Sequence, residues 1–175
     1  MSPPGKERIN MQDANNKNMA EMSSISRIFS LFKEVKGSAI DVNKYEDRLA
    51  IQKLTYMLKT MGISSGYRFT WYIKGPYSPV LSSEAFSETG KASASQPVAL
   101  SLQETEKCAN LKVFLGKDVK DSNKMELYAS LLFLKKDEKI TERPAIIAKL
   151  TTLKPWFTKE QAEEALDKIE KSGIF

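Results

Sequence analysis

No histidine occurs among the 175 residues, and cysteine occurs once, at Cys108. Histidine titrates near neutral pH, is the commonest zinc ligand, and is the usual base beside a serine or cysteine nucleophile. Its absence, with a single thiol, removes zinc sites built on histidine and cysteine and the common covalent catalytic dyads and triads. Paired carboxylates remain as ligands for a hard cation, but the acids fall on the solvent faces of the predicted helices. The chain therefore reads as a non-enzyme, with no metal and no cofactor. One cysteine cannot close an internal disulfide, which suits a reducing compartment.

Long hydrophobic runs are missing as well. No apolar stretch reaches the roughly eighteen residues of a membrane span, and the N-terminal "MSPPGKERINMQDANNKNMAEM" lacks the apolar segment of a signal peptide. The expectation is a cytoplasmic protein with no membrane association.

Acidic residues are absent from one place in particular. Between Arg48 and Ser83 there is no Asp or Glu, while Arg48, Lys53, Lys59, Arg68 and Lys74 all fall there, matching the whole net charge of +5. So biased a segment reads as a positive face, attractive to nucleic acid or to an acidic protein partner, unless acids from elsewhere in the fold pair with it.

What is present is ordinary for a globular chain: 41% apolar and 28% charged residues. A chain of this length can bury roughly 70% of its unfolded surface without staples. Residues 1–22 are polar and aperiodic and read as a flexible tail, with 23–175 as a single helical domain.

In "SSISRIFSLFKEVKGS" Ile25, Ile28, Phe29, Phe32 and Val35 recur at helical spacing, and Gly37 marks the stop. "NKYEDRLAIQKLTYMLKTMG" repeats this with Ala50, Leu54, Met57, Leu58 and Met61 before Gly62, a stripe of core rather than of ligand contacts. In "YRFTWYIK" Tyr67, Phe69, Trp71 and Ile73 alternate with Arg68, Thr70, Tyr72 and Lys74, the period of a half-buried strand. "GPYSP" then turns the chain, with Ser78 as N-cap and Pro79 as first residue of a helix "PVLSSEAFSE" ending at Gly90; "KASASQPVAL" reads as a loop.

Ser101 and Glu104 have capping-box spacing, and Cys108, Leu111 and Leu115 share one face, making Cys108 a small buried hydrophobe. A second box, Asn123 to Glu126, opens "NKMELYASLLFLKK", whose unbroken run Leu131–Leu134 predicts a central helix covered on most faces. "TERPAIIAKLTTL" and "TKEQAEEALDKIEKSG", joined by "KPWF", complete the chain. Thr158 and Gln161 form a further box, Phe157 is placed to staple onto Ala162, and Gly173 with Ile174 suits a C-terminal cap. The fold class expected is mostly α: a compact bundle of about six to seven helices, with a short β-strand or small hairpin near 67–74.

The last two helices invite comparison with a helix-turn-helix. A recognition helix brings bases to phosphates, yet this one carries Glu160, Glu163, Glu164, Asp167 and Glu170 against Lys159, Lys168 and Lys171. The strand is the other candidate for nucleic acid, since aromatics beside bases can stack nucleobases. Alternation turns Phe69 and Trp71 inward, however, and leaves Tyr72 and Tyr77 as the rings on the wet side.

The run "DRLAIQKLTYMLKTMGISSGYRFTWYIKGPYSPVLSSEAF" resembles the YwgA-like proteins and, more distantly, the Panacea domain of SocA-type antitoxins. The matching positions are Gln52, Lys53, Leu54, Tyr56, Trp71, Gly75, Pro76, Tyr77 and Ser78, and "LKPWFTKEQAEEAL" is similar to the C-terminal helices of YwgA-like chains. The resemblance implies a small, mostly helical domain without catalytic residues. In the Panacea group such domains pair with toxins or present a partner protein to a protease.

Residues and resemblance together suggest a non-enzymatic interaction module that binds an acidic protein through Arg48, Lys53, Arg68, Tyr72, Lys74 and Tyr77. The alternative is a nucleic-acid-binding regulator using the same surface, and an enzyme of unknown reaction ranks third.

Overall fold

The first helix, α1, spans residues 24–36 in the computed structural model of the protein, which describes residues 24–94 and 96–175. The tail expected over residues 1–22 lies outside the described residues. Ile25, Ile28, Phe29, Phe32 and Val35 are all buried, as their spacing predicts. Gly37 closes the helix in a left-handed conformation, φ 83°, donating to the Lys33 carbonyl at 2.8 Å.

Helix α2, Tyr45–Thr60, packs most extensively on α6, Ser122–Lys136. In α6 every residue from Met125 to Leu134 is buried, which makes it the central helix. α2 is covered almost as fully: beyond its apolar stripe, Gln52, Lys53 and Thr55 are buried too. Helices α7, Arg143–Leu153, and α8, Lys159–Ser172, pack on each other and on α6, while α5, Leu102–Leu115, packs on α2.

Two capping boxes form as expected. The Ser101 amide donates to Glu104 at 2.8 Å and the Glu104 amide donates back to the Ser101 hydroxyl at 3.2 Å. Thr158 and Gln161 make the same pair of bonds at 2.9 and 3.2 Å. Phe157 and Ala162 are both buried beside this cap. Cys108 is fully buried, and burial, with Glu34 and Glu104 nearby, pushes its thiol up to about 12. It behaves as a hydrophobe.

The third box does not form. A 3-10 turn, Gly116–Lys120, delivers Asp121 to the N-cap of α6, where its carboxylate accepts from the amides of Asn123 at 2.9 Å and Lys124 at 3.0 Å. Glu126, displaced from any capping role, is buried and serves elsewhere.

The helix expected from Pro79 to Gly90 breaks in two. α3, Pro79–Phe86, ends at Ser87, whose hydroxyl accepts from the Gly90 amide at 3.0 Å and caps α4, Glu88–Ser93. Gly90 is therefore inside a helix rather than at its end. A Cβ there would lie 2.2 Å from the Glu84 carbonyl oxygen, so glycine permits the tight corner between the two helices. The segment expected as a loop is helical as far as Ser93. The extra break makes eight α-helices among the described residues, where about six to seven were expected.

The expected strand or hairpin near 67–74 is absent: no strand occurs among the described residues. Thr70 and Tyr77 instead form an isolated antiparallel bridge, each amide donating to the other's carbonyl at 3.0 Å. Tyr67 and Phe69 are buried and Trp71 is partly buried, following the alternation, but Ile73 is 65% exposed. The Gly75 amide donates to the Tyr72 carbonyl at 3.0 Å, so the chain turns before Ile73 can come back to the core. No described helix is long and apolar enough to cross a membrane.

Candidate functional site: a basic aromatic groove

Helix α2 presents Tyr45, Arg48, Leu49, Gln52 and Lys53 to a groove of about 310 Å3, which the 72–77 turn and α3 close from the other side. The turn contributes Tyr72, Lys74 and Tyr77, and α3 contributes Ser82 and Phe86. Five of the six residues expected on the basic face thus meet around one concavity. Arg68 is exposed but does not line the groove.

Lys53 corrects the sequence reading in a second way. It lies buried in the groove wall instead of on an open face, and its ammonium donates to the Pro76 carbonyl at 3.0 Å. Beside it, Gln52 pairs with the backbone of Ser78, accepting from its amide at 2.9 Å and donating to its carbonyl at 3.1 Å. Thus "QK" on α2 grips "PYS" in the turn. These residues form one structural unit.

Aromatic surface is more plentiful than expected. Tyr72 and Tyr77 stack on each other, with ring centroids 5.1 Å apart and an interplanar angle of 30°. The Arg48 guanidinium lies 5.9 Å from the Tyr45 ring and 5.8 Å from that of Phe86. Tyr45 and Tyr72 remain 54% and 53% exposed. The sequence flagged Tyr72 and Tyr77; Tyr45 and Phe86 join them only because α2 and α3 converge.

Behind the turn lies a layer that the sequence reading missed. Lys154, at the C-terminus of α7, is 1% exposed. Its ammonium donates to Glu126 Oε1 at 3.0 Å, to the Tyr72 carbonyl at 3.3 Å and to the Ile73 carbonyl. It also sits 5.0 Å from the Trp71 ring and 5.2 Å from that of Trp156. Trp156 donates to Glu126 Oε1 at 3.2 Å, and Lys74 approaches Glu126 Oε2 at 3.9 Å. The "KPWF" linker is the only sequence signal, and capping-box spacing disguised Glu126.

Three ammonium groups, from Lys53, Lys74 and Lys154, therefore surround one buried carboxylate, Glu126. Burial lowers the pKa of Lys53 from its ordinary 10.5 to about 7; Glu126 opposes the shift, and Lys154 and Lys74 add to it. Burial also lowers Lys154, partly offset by its bond to Glu126.

The bases of the acid-free stretch meet different fates. Lys59 lies 3.7 Å from Asp137, Lys74 leans on Glu126, and Arg48 rests on aromatic rings. Among the described residues, no three Cys, Asp or Glu side chains are grouped so as to hold a metal ion. No protein-family model, curated protein or solved structure matches the chain.

Proposed function

We propose that the protein is a non-enzymatic interaction module whose groove receives an acidic segment of a protein partner. The observation that carries this reading is the convergence of Tyr45, Arg48, Tyr72, Lys74 and Tyr77, from separate parts of the chain, on one concave surface. Exposed tyrosines around an arginine are the composition of an interface hot spot, in which rings supply area and the cation selects acidic chemistry. A partner of the antitoxin or adaptor type agrees with the resemblance to YwgA-like and Panacea proteins, and the lone buried thiol suits a cytoplasmic setting.

Nucleic acid is the second reading, and the stacked pair Tyr72 and Tyr77 favours it. Against it, the three groove cations, Arg48, Lys53 and Lys74, meet in one short concavity, too few and too close together to track the successive phosphates of a strand. In α8, moreover, Asp167 and Glu170 accept from Arg143 at 2.5 and 2.8 Å, so this helix bears structural acids where a recognition helix needs bases.

Fluorescence anisotropy of a labelled acidic peptide containing an aromatic residue, compared with a single-stranded oligonucleotide of similar length, tests the choice. The peptide is expected to bind, and Arg48→Ala and Tyr72→Ala to weaken it at least about tenfold. Failure of the peptide, with oligonucleotide binding that falls steeply in salt, would replace the leading reading with the second.

A further inference from the structure

A second cavity, of about 240 Å3, adjoins the groove between α1, α2, the Lys74 turn and the start of α6. Its wall carries Lys36, Lys53, Lys74 and Lys120 against Glu46 and Glu126. Lysines outnumber carboxylates in this lining by two, and the pairs behind it leave that difference unchanged. Glu126 is already engaged by Lys154 and Trp156, whereas Lys36 pairs with Asp47. Lys53, Lys74 and Lys120 face the cavity, Lys74 also lying 3.9 Å from Glu126 Oε2, with Glu46 as the second carboxylate of the lining.

We propose that this cavity binds a small tetrahedral dianion of the phosphate monoester class, held by Lys53, Lys74 and Lys120, with Ser122 and Asn123 as neutral donors. Several cations converging on one concavity favour a dianion over a single carboxylate, and lysine is a common phosphate binder as a point charge. The volume falls below the roughly 300 Å3 at which pockets for drug-sized ligands begin, so it suits a phosphoryl group on a short stem. Lys53 also has donors to spare: an ammonium carries three N–H groups, and the bond to Pro76 uses one.

Burial lowers the pKa of Lys53 from 10.5 to about 7. Glu126 from α6 opposes this shift, and Lys154 from the end of α7 and Lys74 from the turn add to it. Lys36, Lys120 and Glu46 complete the charged lining of the cavity. A bound dianion supplies the negative charge that Lys53 lacks, so binding draws a proton onto its amine.

Titration calorimetry of the full chain at constant ionic strength, with sulfate and inorganic phosphate as probes, tests the site. Sulfate keeps its charge between pH 6 and 9, so the pH dependence of its binding reports the protein. Saturable one-to-one binding is expected, weakening by up to about tenfold per pH unit above pH 7, with proton uptake seen as a buffer-dependent heat. Lys74→Gln combined with Lys120→Gln should weaken it at least tenfold, while Lys171→Gln, on an exposed stretch of α8, should not. Lys53→Met should abolish the proton uptake.

No saturable binding of either ion at pH 6, or binding untouched by the Lys74 and Lys120 changes, would overturn the proposal. A phosphoserine peptide that displaces sulfate more strongly than phosphate does would mark a protein-borne phosphoryl group. A peptide excluded where phosphate binds would mark a small free phosphate. The two sites share Lys53 and Lys74, so unshared residues separate them: Arg48→Ala should weaken peptide binding and leave sulfate binding intact, and Lys120→Gln the reverse.

Discussion

Gln52 and Ser78 exchange two hydrogen bonds across 26 residues of chain, the side-chain amide of one replacing a strand partner for the backbone of the other. This pairing holds the turn that shapes both the groove and the neighbouring cavity against α2, and both residues are buried. A side chain that satisfies one buried amide and one buried carbonyl together is hard to replace.

Gln52→Ala should therefore lower stability by about 2–4 kcal/mol, because two buried backbone groups lose their partners at once. Urea unfolding followed by circular dichroism measures this. A loss below about 1 kcal/mol would show that the turn is held by other contacts.

Lys154→Met leaves Glu126 buried without its principal partner and should cost roughly 3–5 kcal/mol. Adding Glu126→Gln to Lys154→Met should recover part of that loss, since the buried carboxylate is then neutral, and only part, since Lys53 and Lys74 lose it too. Additive losses across the double-mutant cycle would mean that the pair is not coupled.

Stability should rise between pH 7 and pH 9. Lys53 ordinarily titrates at 10.5 but at about 7 in the fold, so in this window the unfolded chain binds the extra proton. One such proton contributes up to about 1.4 kcal/mol per pH unit, fully withheld below pH 7 and recovered as pH rises toward 10.5. Lys154 acts in the same direction, whereas Cys108, raised from 9.0 to about 12, offsets the rise only above pH 9. Unfolding at pH 7, 8 and 9 should show the rise in the native chain and a flatter profile in Lys53→Met; identical profiles would contradict the assignment.

Gly90→Ala separates local propensity from packing. Helix propensity by itself predicts a gain of about 1 kcal/mol for alanine inside a helix. The new Cβ would meet the Glu84 and Ala85 carbonyl oxygens at 2.2 and 2.5 Å, so a loss of about 1–3 kcal/mol is expected instead. A rise in melting temperature would show that the corner between α3 and α4 is loose.

The sequence alone determined what is settled over three or four residues. The stripes of α1 and α2, the caps at Ser101 and Thr158 and the burial of Cys108 all follow from neighbours one helical turn away, such as Glu104 three residues beyond Ser101. It also marked Arg48, Tyr72, Lys74 and Tyr77, because an acid-free run with alternating aromatics is visible in one dimension. What it misplaced depends on distant partners. Lys53 was expected on an exposed face, Ile73 in the core and Glu126 in a cap, yet each is set by contacts that no local window contains. The Glu126 partner lies 28 residues away and the Lys154 bond to Tyr72 spans 82. Only the tertiary structure could bury these lysines, because an ammonium leaves water only where a carboxylate, carbonyls and rings have been assembled to receive it.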